Sequence, residues 1–241
     1  VYKPFLPTRG FLSSIGGGWR YVRGMSYARS ISPENTRLVS LVGQIYSPYI
    51  GSWVLDDEDN YVPFSQLKFT ADWREYRSLP WFKNHVFAFK LATGLSAGDS
   101  QRYGNFRLGG SFGDSGYFTL PDEWRSLRGY FPATDSGANY YLSAIEYRLP
   151  LVWIDRGYKA LPVFVRNISA AAFIDAGAAY DTTEELSAPP LVGAGAELRS
   201  SLLVSWGGGI SVRGGYAFGL TEGGIPLGST DGFYGWLGGS F

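Results

Sequence analysis

The chain of 241 residues contains no cysteine. That excludes a disulfide framework and any thiolate nucleophile or thiolate metal ligand. It contains one histidine, His85, so a multi-histidine zinc site is excluded as well. His85 reads as a strand-end or interfacial side chain. Charge is scarce and balanced: 21 basic and 21 acidic side chains make up 17% of the residues, against roughly 25% in soluble domains. The neutral balance argues against a nucleic-acid partner, which requires a basic face. No apolar run approaches the ~18 residues of a transmembrane helix. No stretch shows helical periodicity, and no short repeat is present. The start, Val1-Tyr2-Lys3-Pro4, lacks a charged-then-apolar signal pattern, so the chain reads as a mature product or a fragment. No GxxxxGK[ST] loop appears, and the runs Gly16–Gly18 and Gly207–Gly209 read as strand and turn glycines. Asp56-Asp57-Glu58-Asp59 lacks the glycine turn and spaced ligands of a calcium loop and reads as a solvated loop. No enzymatic activity, metal or cofactor is expected.

What the chain has is glycine, 33 residues, and aromatics, 17%, set in long alternating strands. In Ile210–Leu220, residues Ile210, Val212, Tyr216, Phe218 and Leu220 share one parity. Ser211, Arg213, Gly215, Ala217 and Gly219 share the other. Successive strand side chains face opposite ways, so this segment has one greasy face and one small or polar face. Such runs exceed the usual soluble strand of about 5–6 residues. They match the ~9–11 residues a tilted membrane strand needs. A mean hydropathy of −0.08 fits a barrel, because half of each strand faces a polar interior.

Nine such segments are predicted, near Gly10–Val22, Arg37–Ser47, Phe64–Tyr76, Asn84–Leu95, Asn139–Leu151, Arg166–Tyr180, Leu191–Ser205, Ile210–Leu220 and Gly232–Phe241. Parity turns Ile145, Ile174 and Leu198 outward and Glu146, Arg148, Asp175, Glu197, Arg199 and Arg213 inward. Of these, Glu197, Arg199 and Arg213 read as lumenal ion pairs. Tyr180, Trp206, Tyr216, Phe218, Phe233 and Trp236 fall near strand ends, as interfacial aromatic girdles do. Connections alternate between tight and long. Bacterial barrels put tight turns in the periplasm, which predicts a periplasmic C-terminus and places Ser96–Ala138 outside. That long segment carries Phe106, Phe112, Tyr117, Phe118, Trp124, Tyr130 and Phe131. A loop so aromatic is expected to fold onto a surface, and the lumen is the surface on offer.

Five motifs in order carry a resemblance: Phe106-Arg107-Leu108-Gly109-Gly110, Leu127-Arg128-Gly129-Tyr130, Glu146-Tyr147-Arg148-Leu149-Pro150, Phe173-Ile174-Asp175-Ala176-Gly177, and a terminal aromatic strand. The chain resembles the barrel domain of the BamA/TamA-type outer-membrane insertase superfamily, also called the bacterial surface antigen family, from about Phe64 to Phe241. The resemblance implies an antiparallel transmembrane β-barrel of about sixteen strands, with upstream strands and periplasmic POTRA domains outside this sequence. It implies that Arg128 is the tip of a loop folded into the lumen. Gly129 and Tyr130 complete that motif, and Glu146 and Asp175 are its acidic partners on the wall. It further implies a C-terminal strand read by the assembly machinery, with Phe233, Leu237 and Phe241 on one parity. Gly235, Gly238 and Gly239 weaken that strand, because glycine adds no cross-strand packing. In the resembled family the seam there opens sideways and pairs with incoming strands. The expected function is assembly and insertion of outer-membrane proteins, or translocation. The expected partners are outer-membrane lipids, client outer-membrane proteins or a secreted substrate, and periplasmic or lipoprotein accessory subunits. The alternative is a passive pore, or a barrel that anchors a soluble domain.

Overall fold

The computed structural model describes residues 10–25, 27, 30–55, 60–99, 105–111, 124–157, 163–182, 185, 188–204 and 208–239. The fold is all-β. Nine strands form one antiparallel sheet: β1 Ser14–Met25, β2 Glu34–Tyr46, β3 Gln66–Ser78, β4 Val86–Gly98, β5 Asn139–Gly157, β6 Val163–Tyr180, β7 Leu191–Val204, β8 Gly208–Gly219 and β9 Phe233–Gly239. Each strand pairs with its sequence neighbours in this set, and β1 and β9 are the sheet's two edges. Among the described residues β1 and β9 do not pair with each other, so the sheet is open rather than a closed barrel.

The alternation in the sequence becomes an inversion of ordinary burial. On one face Leu67, Leu95, Ile145, Ile174, Leu198, Phe233 and Leu237 are exposed. On the other face Lys68, Asp175, Glu197 and Arg199 are buried. A water-soluble domain places charge outside, whereas an apolar exposed band opposite a polar wall suits a sheet with lipid on one side. At the short-loop end this band stops at an ion cluster, with Arg37 Nε 2.7 Å from Glu75 and Arg77 Nη2 2.6 Å from it.

Aromatic side chains gather at both ends of the band. At the short-loop end Trp73 meets Phe89 edge-on at 5.7 Å, and Tyr147 packs with Phe87 and His85. The Nδ1 of His85 lies 2.7 Å from the Tyr147 hydroxyl. At the other end Tyr216 contacts Phe218 and Phe233. Trp236 does not join the girdle expected of it. It occupies the opposite parity to Phe233 and Leu237, and its ring lies under the Arg213 guanidinium on the polar wall. Trp206 lies outside the described residues.

Three boundaries differ from the sequence reading. Gly10–Phe11 leaves the first strand and pairs with Trp53–Leu55, which also pairs with Tyr61–Pro63. β5 runs on to Gly157, and beyond Arg148 it pairs with β6 alone. Pro150, which cannot donate to a ladder, sits in this edge stretch, where its lost N–H costs least. Two register shifts follow it. The long connection between β4 and β5 also carries structure of its own. Phe106–Leu108 pairs with Asp135–Gly137 and Trp124–Arg125, and Gly110 bridges to Leu127. Strands of two or three residues are too short to show periodicity, so the sequence read as structureless there. Phe112, Tyr117, Phe118 and the acidic run 56–59 lie outside the described residues.

Candidate functional site

The connection between β4 and β5 rests on the polar face of the sheet. Phe106, Leu108, Leu127 and Tyr130 from the connection bury themselves against Ala92, Tyr140 and Leu142 of the wall. This apolar cluster brings the turn Leu127-Arg128-Gly129-Tyr130 down onto β6 and β7.

Arg128 ends in a ring of carboxylates supplied by three adjacent strands. Nε and Nη2 donate to the two oxygens of Asp175 on β6, both at 2.7 Å. The Arg128 backbone N–H donates to Asp175 Oδ2 at 3.3 Å. Nη1 lies 2.7 Å from Glu146 on β5 and 3.0 Å from Glu197 on β7. The flat guanidinium also lies over the Phe173 ring, 3.5 Å from its centroid. A two-pronged Arg–carboxylate contact fixes direction as well as distance, and the ring face adds a cation–π attraction. Burial disfavours the Arg128 charge, but Glu146, Asp175 and Glu197 outweigh it and hold the pKa well above the ordinary arginine value. The side chain is therefore a permanent cation.

Gly129 is required by its backbone. Its φ of +91° is a left-handed conformation, and a β-carbon there would meet the Phe218 carbonyl oxygen at 2.5 Å. Its own carbonyl accepts from the Ile225 N–H at 2.9 Å, and Ile225 is buried. This ties the β4–β5 connection to the one between β8 and β9. Tyr130 is 1% exposed. Its hydroxyl lies 3.0 Å from both the Val192 carbonyl and the Val192 N–H, and it touches Thr221 Oγ1. The paired register of β7 and β8 begins one residue further on, at Gly193 and Gly219, and the Val192 carbonyl also accepts from the Leu220 N–H at 2.7 Å, so Tyr130 braces the end of the ladder.

The acids are shared. Glu146 also binds Arg148 at 2.6 Å and Arg199 at 2.9 Å. Glu197 also binds Arg199 at 2.6 Å and accepts from the Tyr234 hydroxyl at 2.6 Å. Tyr234 belongs to β9, so hydrogen bonds run from the Arg128 turn to the last strand. Arg128, Gly129, Tyr130, Glu146 and Asp175, named from the sequence, thus lie together. Glu197 and Phe173 complete the site. Parity had marked Glu197 as a lumenal charge without linking it to Arg128. Tyr234 and Thr221 carried no signal in the sequence. Arg213, expected in an ion pair, has no carboxylate partner among the described residues.

The seam residues stand apart from this cluster. On β9, Gly235 faces Gly214, Gly238 faces Ser211 and Gly239 faces Ile210. Phe233 packs on Tyr216. Phe241 lies outside the described residues. Among the described residues no group of histidine, cysteine and acidic side chains is placed to hold a metal ion. No curated protein matches the chain. Its residues 3–222 match the Omp85 superfamily domain, and the chain belongs to the Omp85 superfamily.

Proposed function

We propose that this chain is the C-terminal part of an outer-membrane insertase barrel, which assembles client proteins through a seam that opens sideways at β9. Superfamily membership supports the general role, outer-membrane protein insertion or translocation. The observation that carries the finer reading is the Arg128 contact set. A long connection folds back over the polar face and ends in a cation held by Asp175, Glu146 and Glu197. In this reading the contact holds the connection inside the barrel and steadies the wall beside the seam. The sheet closes with upstream strands to about sixteen, and the C-terminus faces the periplasm.

The seam half of the proposal draws on β9. This strand is seven residues long, and three of its residues are glycine. Exposed strand edges recruit other strands, so a weakly held edge can exchange its partner for a client strand. Neither step needs a nucleotide. Lipids, client proteins and accessory subunits are the partners this reading requires.

The test is a cysteine pair joining β9 to the strand that closes against it in the full-length protein. The absence of native cysteine in this chain makes such a pair easy to read. Oxidation is expected to abolish client insertion, and reduction to restore it. Insertion that continues unchanged across the oxidised seam would overturn lateral opening and favour a pore or an anchor.

A further inference from the structure

Beside the Arg128 cluster the polar wall borders a partly open cavity of about 100 Å³. Its charges are Arg74, Lys90, Arg128, Arg148 and Arg213 against Glu146, Asp175 and Glu197. Asp72 and Arg199 complete ion pairs with lining residues. With these two included, basic groups outnumber acidic groups six to four among the described residues.

Arg213 stands out among them. It faces Arg199 directly across the β7–β8 ladder, and like charges in that relation repel. The acids within reach are already committed, Glu146 to Arg128, Arg148 and Arg199, and Glu197 to Arg128 and Arg199. Arg213 makes no ion pair among the described residues. Its guanidinium lies on the Trp236 ring, 4.8 Å from the centroid, and its buried Nε has no hydrogen-bond partner among the described residues. A buried charged donor without an acceptor is costly. The indole gives the cation a surface to lie on, but no oxygen to accept its N–H groups.

We propose that this cavity is an oxyanion site, in which Arg213, held flat by Trp236, donates its guanidinium edge to a small phosphate or carboxylate from the lumenal water. A planar guanidinium matches the paired oxygens of either group. The bound anion would give Arg213, which lines the cavity, the counter-charge that the neighbouring acids do not supply. The site borders the seam strand, since Trp236 and Tyr234 lie on β9, but anion binding is a property of the wall itself and stands whether the barrel inserts clients or conducts ions.

The experiment is calorimetric titration of the detergent-solubilised full-length protein with inorganic phosphate, and in parallel with acetate, at low ionic strength. Saturable binding is expected for the parent protein. Arg213→Gln should weaken it at least tenfold, and Arg213→Lys, which keeps the charge but loses the fork, should weaken it less. Heat-modifiable gel mobility checks that each variant retains the barrel. If Arg213→Gln does not fold, Trp236→Leu, which removes the supporting ring, replaces it and should weaken phosphate binding several-fold. Absence of saturable binding of either anion to the parent protein would overturn the site. So would undiminished binding in the folded variants.

Discussion

Gly193 on β7 lies directly beneath the carbonyl oxygen of Arg128, so close that a β-carbon at Gly193 would overlap that oxygen. The Arg128 turn can reach its carboxylates because the wall is bare at this point. Gly193→Ala is therefore expected to lift the turn off the wall. Overpacking of this kind costs about 1–3 kcal/mol. The measurement is the temperature at which heat-modifiable mobility is lost, together with protease sensitivity of the β4–β5 connection. An unchanged melting temperature with a protected connection would show that the turn does not rely on this contact.

The Arg128–Asp175 pair should behave as a unit. Arg128→Glu places a fourth acid among Glu146, Asp175 and Glu197. Removing one partner of a buried pair typically costs about 3–5 kcal/mol, and the swap should cost at least as much. Arg128→Glu combined with Asp175→Arg should recover part of that loss, because one opposite pair is restored. Barrel stability and client insertion are both to be measured in membranes. Equal defects in the single and double variants would mean that Asp175 is not the partner that matters. Arg128→Lys should also fall short of the parent, since an ammonium cannot span both oxygens of Asp175.

Tyr130→Phe isolates the hydroxyl that meets Val192 and Thr221. The ring stays in its apolar cluster, and the Val192 N–H and carbonyl keep Thr221 Oγ1 and the Leu220 N–H as partners, so the loss should be limited to roughly 0.5–1.5 kcal/mol. Hydrogen exchange at Val192 and Thr221 is the direct readout, with faster exchange expected at both.

The strands were legible because parity is a local property. Ile174 beside Asp175, or Leu198 beside Glu197, declares a two-faced strand without reference to anything distant. Glu146 and Asp175 as partners of Arg128 followed from the order of the family motifs, and parity agreed by turning both inward. The rest was invisible for a physical reason. That Glu197 meets Arg128, 69 residues away, and Tyr234, 37 residues away, depends on strand register and on the path of the β4–β5 connection. Trp236 shows the cost of reading composition near strand ends. Its parity already set it apart from Phe233 and Leu237, but its aromatic character suggested a membrane interface. Arg213 was likewise placed on the correct face and given an ion pair that the register denies it.

Tyr234 offers a test of communication between the Arg128 site and the last strand. Its hydroxyl donates to the Glu197 oxygen that also contacts Arg128. Tyr234→Phe removes this bond and leaves the ring in place. A hydrogen bond to a charged group is worth about 1.5–3 kcal/mol. Exchange of β9 backbone amides should therefore accelerate while the β4–β5 connection stays protected. If neither responds, the bond does not hold β9 to the wall.

Gly235 is the sharpest place to ask whether a weak last strand matters. It faces Gly214 across the β8–β9 ladder, so this pair contributes no side-chain contact. Yet neither glycine is demanded by crowding: a β-carbon at Gly235 would find nothing nearer than the Arg213 carbonyl oxygen at 3.8 Å, and one at Gly214 only the Tyr234 carbonyl oxygen at 4.0 Å. A strand optimised for stability would carry a β-branched residue here. Gly235→Val should fit without strain and remove the entropy penalty of glycine. Its pairing with β8 should be firmer by about 0.5–1 kcal/mol. If client insertion depends on a loosely held β9, this stabilised variant should melt higher and insert more slowly. A higher melting temperature with undiminished insertion would break that link. The glycines of β9 would then need an explanation other than seam weakness, such as close approach by the strand that completes the barrel.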